Sequence, residues 1–391
     1  MGVLLSVSRL FLPFSAGFGC VEKSWFVVVC LFGVRCMAGF REARLWRGVG
    51  GGRVECLVCE RRCVVGVGRR GFCSNYGNFG GRLVHLGWGR LSAAESRPIE
   101  IKPLFHYWPN STSLTFSGWG CNFLCPWCQN YLLSWARVSG DEPVVPPERL
   151  VEWALRGGDE GICASFNEPV TLFDYLLDVA EEARKHNLYM TVVTNAYFTE
   201  KAVKMLVEAG YDGWSIDIKG CPKARTKHPQ VLPGVDHYKV FRNAKLVLDM
   251  GGHVEMVYLV VTDYNEECIE WIIDQHLKML GPEVPLHINR YYPAHRWHKP
   301  PTRTNLLLEF AERARRAGIE YVYVGNIGDP SLETTRCPNC GKTLIVRNNY
   351  RVVEWNLVEE NGRYRCPRCN KPIPIHGKFA GWKNASFKEW L

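Results

Sequence analysis

The sequence lacks a hydrophobic run long enough to cross a membrane as a helix. The apolar run Trp25–Val34 has ten residues and ends at Arg35, whereas a spanning helix needs about 20. It also lacks a basic segment at its start and a small-residue cleavage site after it, as a secretory signal would have. We interpret residues 1–40 as an extension, or as the result of a start assigned upstream of Met37, and expect a cytoplasmic protein without a membrane anchor.

The composition lacks the biases of non-globular chains. Of 391 residues, 47% are hydrophobic and 22% are charged, which excludes disordered, collagen-like and coiled-coil proteins. This length allows one large domain with attachments, or two to three domains.

Acidic residues are scarce at both ends of the chain. Residues 1–100 carry 14 basic and 6 acidic side chains, and residues 331–391 carry 11 and 5, whereas the segment between them carries 23 and 28. Basic ends suit nucleic acid, an acidic protein or an anionic cofactor, and charge alone does not choose between them.

Between residues 112 and 327, short β-branched runs alternate with amphipathic helical patterns. Strands separated by helices at intervals of about 30 residues predict βαβ units and a parallel sheet. Seven such strands predict an α/β fold, an incomplete (β/α) barrel, with chemistry at the C-terminal ends of the strands. The predicted strands are Ser113–Ser117, Gly161–Phe166, Tyr189–Thr194, Trp214–Ile218, Val254–Val261, Leu286–Arg290 and Tyr321–Gly325. The predicted helices are Leu172–His186, Glu200–Ala209, Tyr238–Met250, Glu266–Leu280 and Asn305–Ala317.

The chain has 17 cysteines, most of them in three groups with short spacings. Such spacings are typical of metal ligands held in a reducing cytoplasm. We divide the chain into the extension 1–40, a cysteine-rich N-terminal module 41–111, the core 112–330 and a C-terminal module 331–391. Each module is too short for a large core of its own, so each is expected to need a metal.

The loop Cys121-Asn-Phe-Leu-Cys125-Pro-Trp-Cys128 follows the first predicted strand of the core. Three thiolates on one tight loop can bind three irons of a [4Fe–4S] cluster and leave the fourth iron open. A zinc knuckle or unrelated thiols are the alternative, although a structural zinc site needs four ligands and this loop supplies three.

The other two groups each supply four thiolates. Cys56, Cys59, Cys63 and Cys73 form a complete set for zinc, which we favour, or for an auxiliary iron–sulfur cluster. The pairs Cys337/Cys340 and Cys366/Cys369 predict a zinc-ribbon or rubredoxin-like unit that holds zinc or one iron and could shape the substrate entrance.

For the isolated cysteines and for the arginines of the C-terminal module, we expect no functional role. Cys163, Cys221 and Cys268 show no ligand spacing and are expected to be buried and inert. The basic residues of the C-terminal module are expected to form a solvated face rather than an RNA site, and they are Arg347, Arg351, Arg363, Arg365 and Arg368.

The cysteine loop resembles the signature CxxxCxΦC of the radical SAM superfamily, with Trp127 as the aromatic residue. Over about residues 50–375 the chain more closely resembles the radical SAM protein of the AmmeMemoRadiSam system, which is similar to pyruvate formate-lyase activating enzyme. The motifs that carry this resemblance are Cys56–Cys73, Gly89-Arg-Leu91, Pro98–His106, the cysteine loop, Phe166-Asn-Glu-Pro169, Val193-Thr-Asn195, Asp217-Ile-Lys219, Tyr323-Val-Gly-Asn326 and Cys337–Gly341.

The resemblance implies a [4Fe–4S] cluster, S-adenosylmethionine (SAM) and site residues at the strand ends. Glu168 of the motif Asn167-Glu168-Pro169 would accept a hydrogen bond from the SAM amino group, and Lys219 would meet its carboxylate. The further candidates are Trp127, Asn195, Asp217, His287, Arg290 and Asn326. Plainer alternatives are a helix-start role for Glu168, an Asp217–Lys219 ion pair and a packed His287.

Three positions depart from the pattern of relatives. Leu124 stands where a basic residue is common, Ala196 stands where glycine follows Asn195, and Phe166-Asn-Glu replaces Gly-Gly-Glu.

The resemblance also implies partners: a low-potential ferredoxin or flavodoxin as electron donor, and association with Memo-type and AMMECR-type proteins. The substrate stays open between a backbone glycine of a partner enzyme and a small molecule or RNA. A non-enzymatic zinc protein that binds nucleic acid is the alternative from another class.

Overall fold

The computed structural model describes residues 40–382 and Trp390, so the apolar run Trp25–Val34 and the start at Met37 lie outside the described residues. No helix in this part of the chain is long and apolar enough to cross a membrane. One eight-stranded sheet dominates it, in the order β14-β13-β12-β11-β10-β9-β8-β7. Its strands are β7 (Ala93–Pro98), β8 (Thr112–Ser117), β9 (Gly161–Ala164), β10 (Tyr189–Thr194), β11 (Tyr211–Ile218), β12 (His253–Val260), β13 (Leu286–Arg290) and β14 (Val322–Gly325).

The parallel order of the seven strands β8–β14 is confirmed. The antiparallel strand β7 was not predicted, and it pairs with β8 from Ala93↔Ser117 to Pro98↔Thr112. The predicted boundary at residue 112 therefore cuts between two paired strands of one sheet. Within the described residues β7 and β14 are the edges of the sheet, so closure into a barrel stays a prediction.

The helices of ten or more residues cover the sheet through faces of buried apolar residues. The α-helices are α1 (Tyr131–Ser134), α2 (Pro147–Gly157), α3 (Phe173–Lys185), α4 (Glu200–Ala209), α5 (Pro222–Lys227), α6 (Tyr238–Asp249), α7 (Ile269–Met279) and α8 (Thr304–Ala317). Helix α4 illustrates why the bounds are predictable. The Thr199 hydroxyl accepts a hydrogen bond from the Ala202 amide at 3.2 Å, and Gly210 ends the helix at φ +106°.

The N-terminal module consists of two small sheets beside the C-terminal strand ends. One contains β2 (Trp46–Gly48), β3 (Val54–Cys56) and β4 (Val64–Val65), and the other contains β1 (Arg41–Glu42), β5 (Tyr76–Phe79) and β6 (Arg82–His85). Its backbone bonds to the segment after β10: the Glu60 amide donates to Tyr197, and the Thr199 amide donates to Val58. The module therefore lies at the end of the sheet where chemistry is expected.

The C-terminal module contains β15 (Thr335–Arg336), β16 (Thr343–Asn348), β17 (Arg351–Trp355), β18 (Val358–Glu360), β19 (Arg363–Arg365) and β20 (Pro372–Ile373). It contacts the N-terminal strand ends, as shown by the 3.1 Å pair His376–Asp212 at β11 and the 2.9 Å pair Lys371–Glu320 just before β14. From the sequence, this module could have shaped the substrate entrance. It instead packs at the opposite end of the sheet from the cysteine loop.

Arg347 corrects one part of the predicted basic surface, because its side chain is fully buried. Its guanidinium donates to the Phe105 carbonyl at 2.6 Å and to the Thr335 hydroxyl at 2.8 Å, and it stacks 4.3 Å from the Phe105 ring. These bonds join the module to the segment between β7 and β8. Arg347 is a structural link rather than a surface cation.

We expect Arg347→Ala to lower the free energy of unfolding by about 2–4 kcal/mol, because it leaves buried acceptors without a donor. Urea denaturation followed by tryptophan fluorescence measures the change. Arg363→Ala, at an exposed position of the same module, is the matched control and should change stability by less than about 0.5 kcal/mol. Equal effects of the two substitutions would contradict the linking role of Arg347.

Candidate functional site

The candidate site lies where β8, β9, β10 and β11 end. Cys121 follows Ser117 at the end of β8, Glu168 follows β9, and Asn195 is the first residue after β10. Asp217 is the penultimate residue of the strand β11, and Lys219 is the first residue after it. The parallel order of the strands thus brings four separate sequence motifs to the C-terminal edge of the sheet, the edge that the ends of the strands form.

The backbone of the cysteine loop is contacted by the Asn167 side chain and by the N-terminal module. The Asn167 amide group donates to the carbonyls of Gly118 and Gly120, each at 2.8 Å. Gly120 adopts φ +77°, and a Cβ atom there would collide with the Cys73 carbonyl oxygen. A glycine is therefore required at this close approach between the loop and the N-terminal module.

Trp127, the aromatic residue of the loop, is 3% exposed. Its ring packs 4.6 Å from that of Tyr264 and 6.0 Å from that of Trp297. The side chain therefore anchors the loop on the segments that follow β12 and β13.

Glu168 is buried with its carboxylate facing β10. It accepts hydrogen bonds from the Thr194 hydroxyl at 2.5 Å, the Asn195 amide at 2.8 Å and the Val170 amide at 3.3 Å. Burial raises its pKa to about 7 although these bonds lower it. The bond to Val170 caps the short helix Pro169–Leu172, so the helix-start role exists beside the bonds to β10.

Lys219 and Asp217 form an ion pair with 2.9 Å between ammonium and carboxylate. Burial opposes the charge of Lys219, but Asp217 and Cys125 raise its pKa above the usual value. The same ammonium lowers the pKa values of Glu168 and Cys125, although burial still raises that of Cys125 to about 12. Lys219 thus acts electrostatically on both the cysteine loop and Glu168.

Two residues of this edge were not predicted as site residues from the sequence. Thr194 donates to Glu168, and the buried Asn122 accepts a 2.7 Å hydrogen bond from the Asn195 amide group. The position of Asn122 inside the cysteine loop was the available signal, because a polar residue there must find a partner near the cluster ligands.

The structure does not bring His287, Arg290 and Asn326 into this group. His287 lies early in β13, is 2% exposed, and bonds to the buried Glu255 at 2.7 Å. Arg290 donates to the Thr302 carbonyl at 2.9 Å, and Asn326 donates to the Arg290 carbonyl at 3.1 Å. A cofactor or substrate role for His287 and Asn326 stays a prediction.

The three departures from the family pattern share one backbone feature. Leu124, Phe166 and Ala196 have φ values of 47°, 63° and 52°, a left-handed region in which glycine is the easiest residue. Glycine in relatives at the positions of Phe166 and Ala196 is explained by this conformation. The chain keeps the turn there at the cost of local strain.

Cys221 and Cys268 form a disulfide in the structure, which corrects the expectation of two inert thiols. The bond links the segment after β11 to the short helix Glu266–Cys268 before α7. Cys163 is a fully buried free thiol, as expected.

The four C-terminal cysteines form a compact metal site. The sulfur atoms of Cys337, Cys340, Cys366 and Cys369 all lie within 4.8 Å of one another. The Cys337–Cys369 and Cys340–Cys366 distances are 3.5 and 3.6 Å. Four sulfurs this close suit one tetrahedral ion.

Comparison with known proteins decides the family. A model of the radical SAM superfamily matches residues 117–276. An uncharacterized protein of Methanocaldococcus jannaschii is 33% identical over 350 residues, which cover 86% of this chain and 99% of that protein. This chain belongs to the radical SAM superfamily. The superfamily implies an enzyme of radical chemistry with a [4Fe–4S] cluster and SAM.

Solved radical SAM structures overlap parts of the chain at low similarity. SuiB of Streptococcus suis bound to SAM is 15% identical, with 56% of this chain and 50% of SuiB covered, at a TM-score of 0.42. A radical SAM methyltransferase of Sphaerobacter thermophilus is 14% identical, with 56% and 67% covered, at 0.42. A domain of pyruvate-formate lyase-activating enzyme of Bacteroides vulgatus is 15% identical, with 42% and 99% covered, at 0.34. At these scores the overlaps add nothing to the assignment.

The residues at the strand ends fit the cofactors of this radical SAM protein. The loop offers three thiols and no fourth, which suits a cluster with one open iron. Among the described residues, the Nδ2 atom of Asn122 and the Oδ1 atom of Asn167 are buried beside the loop without a hydrogen-bond partner. Buried polar atoms of this kind are available to a bound group.

We expect Cys366→Ser to remove about one metal ion per chain, because the substitution breaks a closed four-thiolate site. Metal analysis of the purified full chain measures the loss. The substitution should leave iron at the Cys121–Cys128 loop unchanged, since the two sites lie at opposite ends of the sheet. Loss of iron–sulfur absorption in this variant would show that the C-terminal cysteines are wrongly assigned.

Proposed function

We propose that this protein cleaves SAM reductively and uses the resulting radical to abstract hydrogen from a substrate. Cys121, Cys125 and Cys128 would hold a [4Fe–4S] cluster, and the reduced cluster would supply the electron for cleaving SAM into methionine and a 5′-deoxyadenosyl radical. The single observation that carries the proposal is the three-cysteine loop, which Asn167 fixes beside Glu168, Asn195 and Lys219.

Glu168 and Lys219 suit the two charged groups of the methionine part of SAM. A carboxylate has about four acceptor positions, and three of those of Glu168 are filled by Thr194, Asn195 and Val170. One position remains for the SAM ammonium group. Lys219 donates to Asp217 and has further N–H groups for the SAM carboxylate.

The other residues of the edge position these two and exclude water. Asn195 is tied to the cysteine loop through Asn122, so a shift of the loop is transmitted to the strand end beside Glu168. Trp127, Tyr264 and Trp297 form an aromatic wall behind the loop. Such a wall keeps solvent from a site in which a carbon radical must survive.

The substrate and partners are proposals that rest on the sequence resemblance. We favour a backbone glycine of a partner enzyme, as in relatives that activate glycyl-radical enzymes, with modification of a small molecule or RNA as the alternative. We also propose a low-potential ferredoxin or flavodoxin as donor, membership in the AmmeMemoRadiSam system with Memo-type and AMMECR-type partners, zinc in the C-terminal site, and a cytoplasmic location.

The anaerobically reconstituted protein is expected to form 5′-deoxyadenosine from SAM with dithionite as reductant. Cys121→Ala, Cys125→Ala and Cys128→Ala should each abolish the product, because a three-thiolate site has no spare ligand. Chromatography of the nucleoside measures the reaction. Wild-type protein that holds only zinc and forms no 5′-deoxyadenosine would overturn the proposal.

Glu168→Gln should weaken SAM binding about ten- to hundredfold, because it removes a hydrogen bond between two charged groups. Equilibrium binding of SAM to the cluster-loaded protein measures the affinity, and the cluster spectrum should not change. Glu181→Gln, at an exposed position of α3, is the matched control and should leave the affinity unaltered. An unchanged SAM affinity of Glu168→Gln would show that Glu168 only caps the helix Pro169–Leu172 and does not bind SAM.

A further inference from the structure

Cys56, Cys59, Cys63 and Cys73 are not used by the proposed cleavage of SAM. The four residues line one cavity in the N-terminal module. Four thiols on one cavity can bind a metal once it displaces their protons.

The spacing of the sulfur atoms distinguishes a single ion from a cluster. Four thiolates on one zinc lie about 3.8 Å apart, because each Zn–S bond is about 2.3 Å. Four thiolates of a [4Fe–4S] cluster lie roughly 6 Å apart, because each binds a different iron. The C-terminal site shows the first kind of spacing, with its four sulfurs mutually within 4.8 Å.

The N-terminal cysteines do not share this spacing. Within residues 40–382 and Trp390, the C-terminal cysteines are the only group of three or more candidate metal ligands whose atoms all lie within 4.8 Å of one another. The sulfur atoms of the Cys121–Cys128 loop, for which the superfamily implies a [4Fe–4S] cluster, likewise do not all lie within 4.8 Å of one another. In sulfur spacing the N-terminal cysteines are therefore like the loop for which a cluster is implied and unlike the four C-terminal cysteines.

We propose that Cys56, Cys59, Cys63 and Cys73 bind a second [4Fe–4S] cluster rather than the zinc ion that sequence alone favoured. The four cysteines line one cavity, so each of the four irons of such a cluster would receive a protein ligand. A cluster with no open iron has no position for SAM or substrate. Its chemistry is electron transfer.

The second site is in direct contact with the Cys121–Cys128 loop. The Asn75 amide group donates to the Cys73 carbonyl at 2.9 Å and to the Trp119 carbonyl at 2.6 Å. Arg61, between Cys59 and Cys63, donates to the Asn122 carbonyl and stacks 3.8 Å from the Phe72 ring. Asn122, the residue next to Cys121 in the sequence, itself lines the cavity. The cavity of the second site therefore reaches the cysteine loop directly beside Cys121.

This contact gives the second cluster its role, which rests on the proposed function. A cluster held there would take one electron from a donor of the ferredoxin or flavodoxin class and change from the 2+ to the 1+ state. It would return to 2+ on passing the electron to the neighbouring loop. No bond forms or breaks in this transfer.

Counting acid-labile sulfide and iron in protein reconstituted anaerobically with iron, sulfide and zinc tests the second cluster. Two clusters give about eight sulfides per chain, and one gives about four. The combined variant Cys121→Ala, Cys125→Ala, Cys128→Ala should keep about four sulfides and form no 5′-deoxyadenosine. Cys59→Ala should lose about four, and Cys163→Ala, a buried cysteine outside the three groups, should lose none.

Two results would overturn the second cluster. One is a wild-type protein with about four sulfides and two zinc ions, and the other is a triple variant without sulfide. Failure of the proposed function is separate, because it appears as absent 5′-deoxyadenosine whatever the sulfide count. Electron paramagnetic resonance of dithionite-reduced protein tests the transfer role: magnetic broadening should occur in the wild type and vanish in both cysteine variants. A wild-type spectrum equal to the sum of the two variants' spectra would overturn that role.

Discussion

Parallel strands of one sheet end at the same edge, and the chemistry of this protein depends on that constraint. Cys121, Glu168, Asn195 and Lys219 are spread over about a hundred residues of sequence, yet each follows a neighbouring strand. No loop needs to be long to bring them together, because the strand order supplies the proximity. The hydrogen bonds of Asn167 and Asn195 then fix the cysteine loop against this edge.

The two cysteine-rich modules occupy opposite ends of the same sheet. The N-terminal module bonds to the loops after β8 and β10, next to the cysteine loop, and the C-terminal module bonds at the starts of β11 and β14. Their metal sites differ accordingly in what lies beside them. The site that we propose in the N-terminal module lies beside the cysteine loop, whereas the C-terminal module is joined to the segment between β7 and β8 at the far end through Arg347.

Much of the core could be predicted because its signals are local. The structure has the predicted bounds of β10, β13 and α4, and those of α4 follow from Thr199 before the helix and Gly210 after it. Strand β7 was missed because its sequence alternates small and charged residues, and only pairing with β8 makes it a strand. Arg347 was placed on the surface because an arginine near the end of a short strand gives no sign in the sequence of the distant Phe105 carbonyl to which it donates.

The sequence by itself determined the cysteine spacings, the strand and helix periodicity and hence the family and its cofactors, because these patterns are short-range. The tertiary structure alone decided which residues reach the site. It joined Asn122 to Asn195, paired His287 with Glu255, and linked Cys221 to Cys268. It also decided the distances between sulfur atoms, on which the choice between one ion and a cluster depends. Those distances are set by how separate segments pack, and no spacing along the chain encodes them.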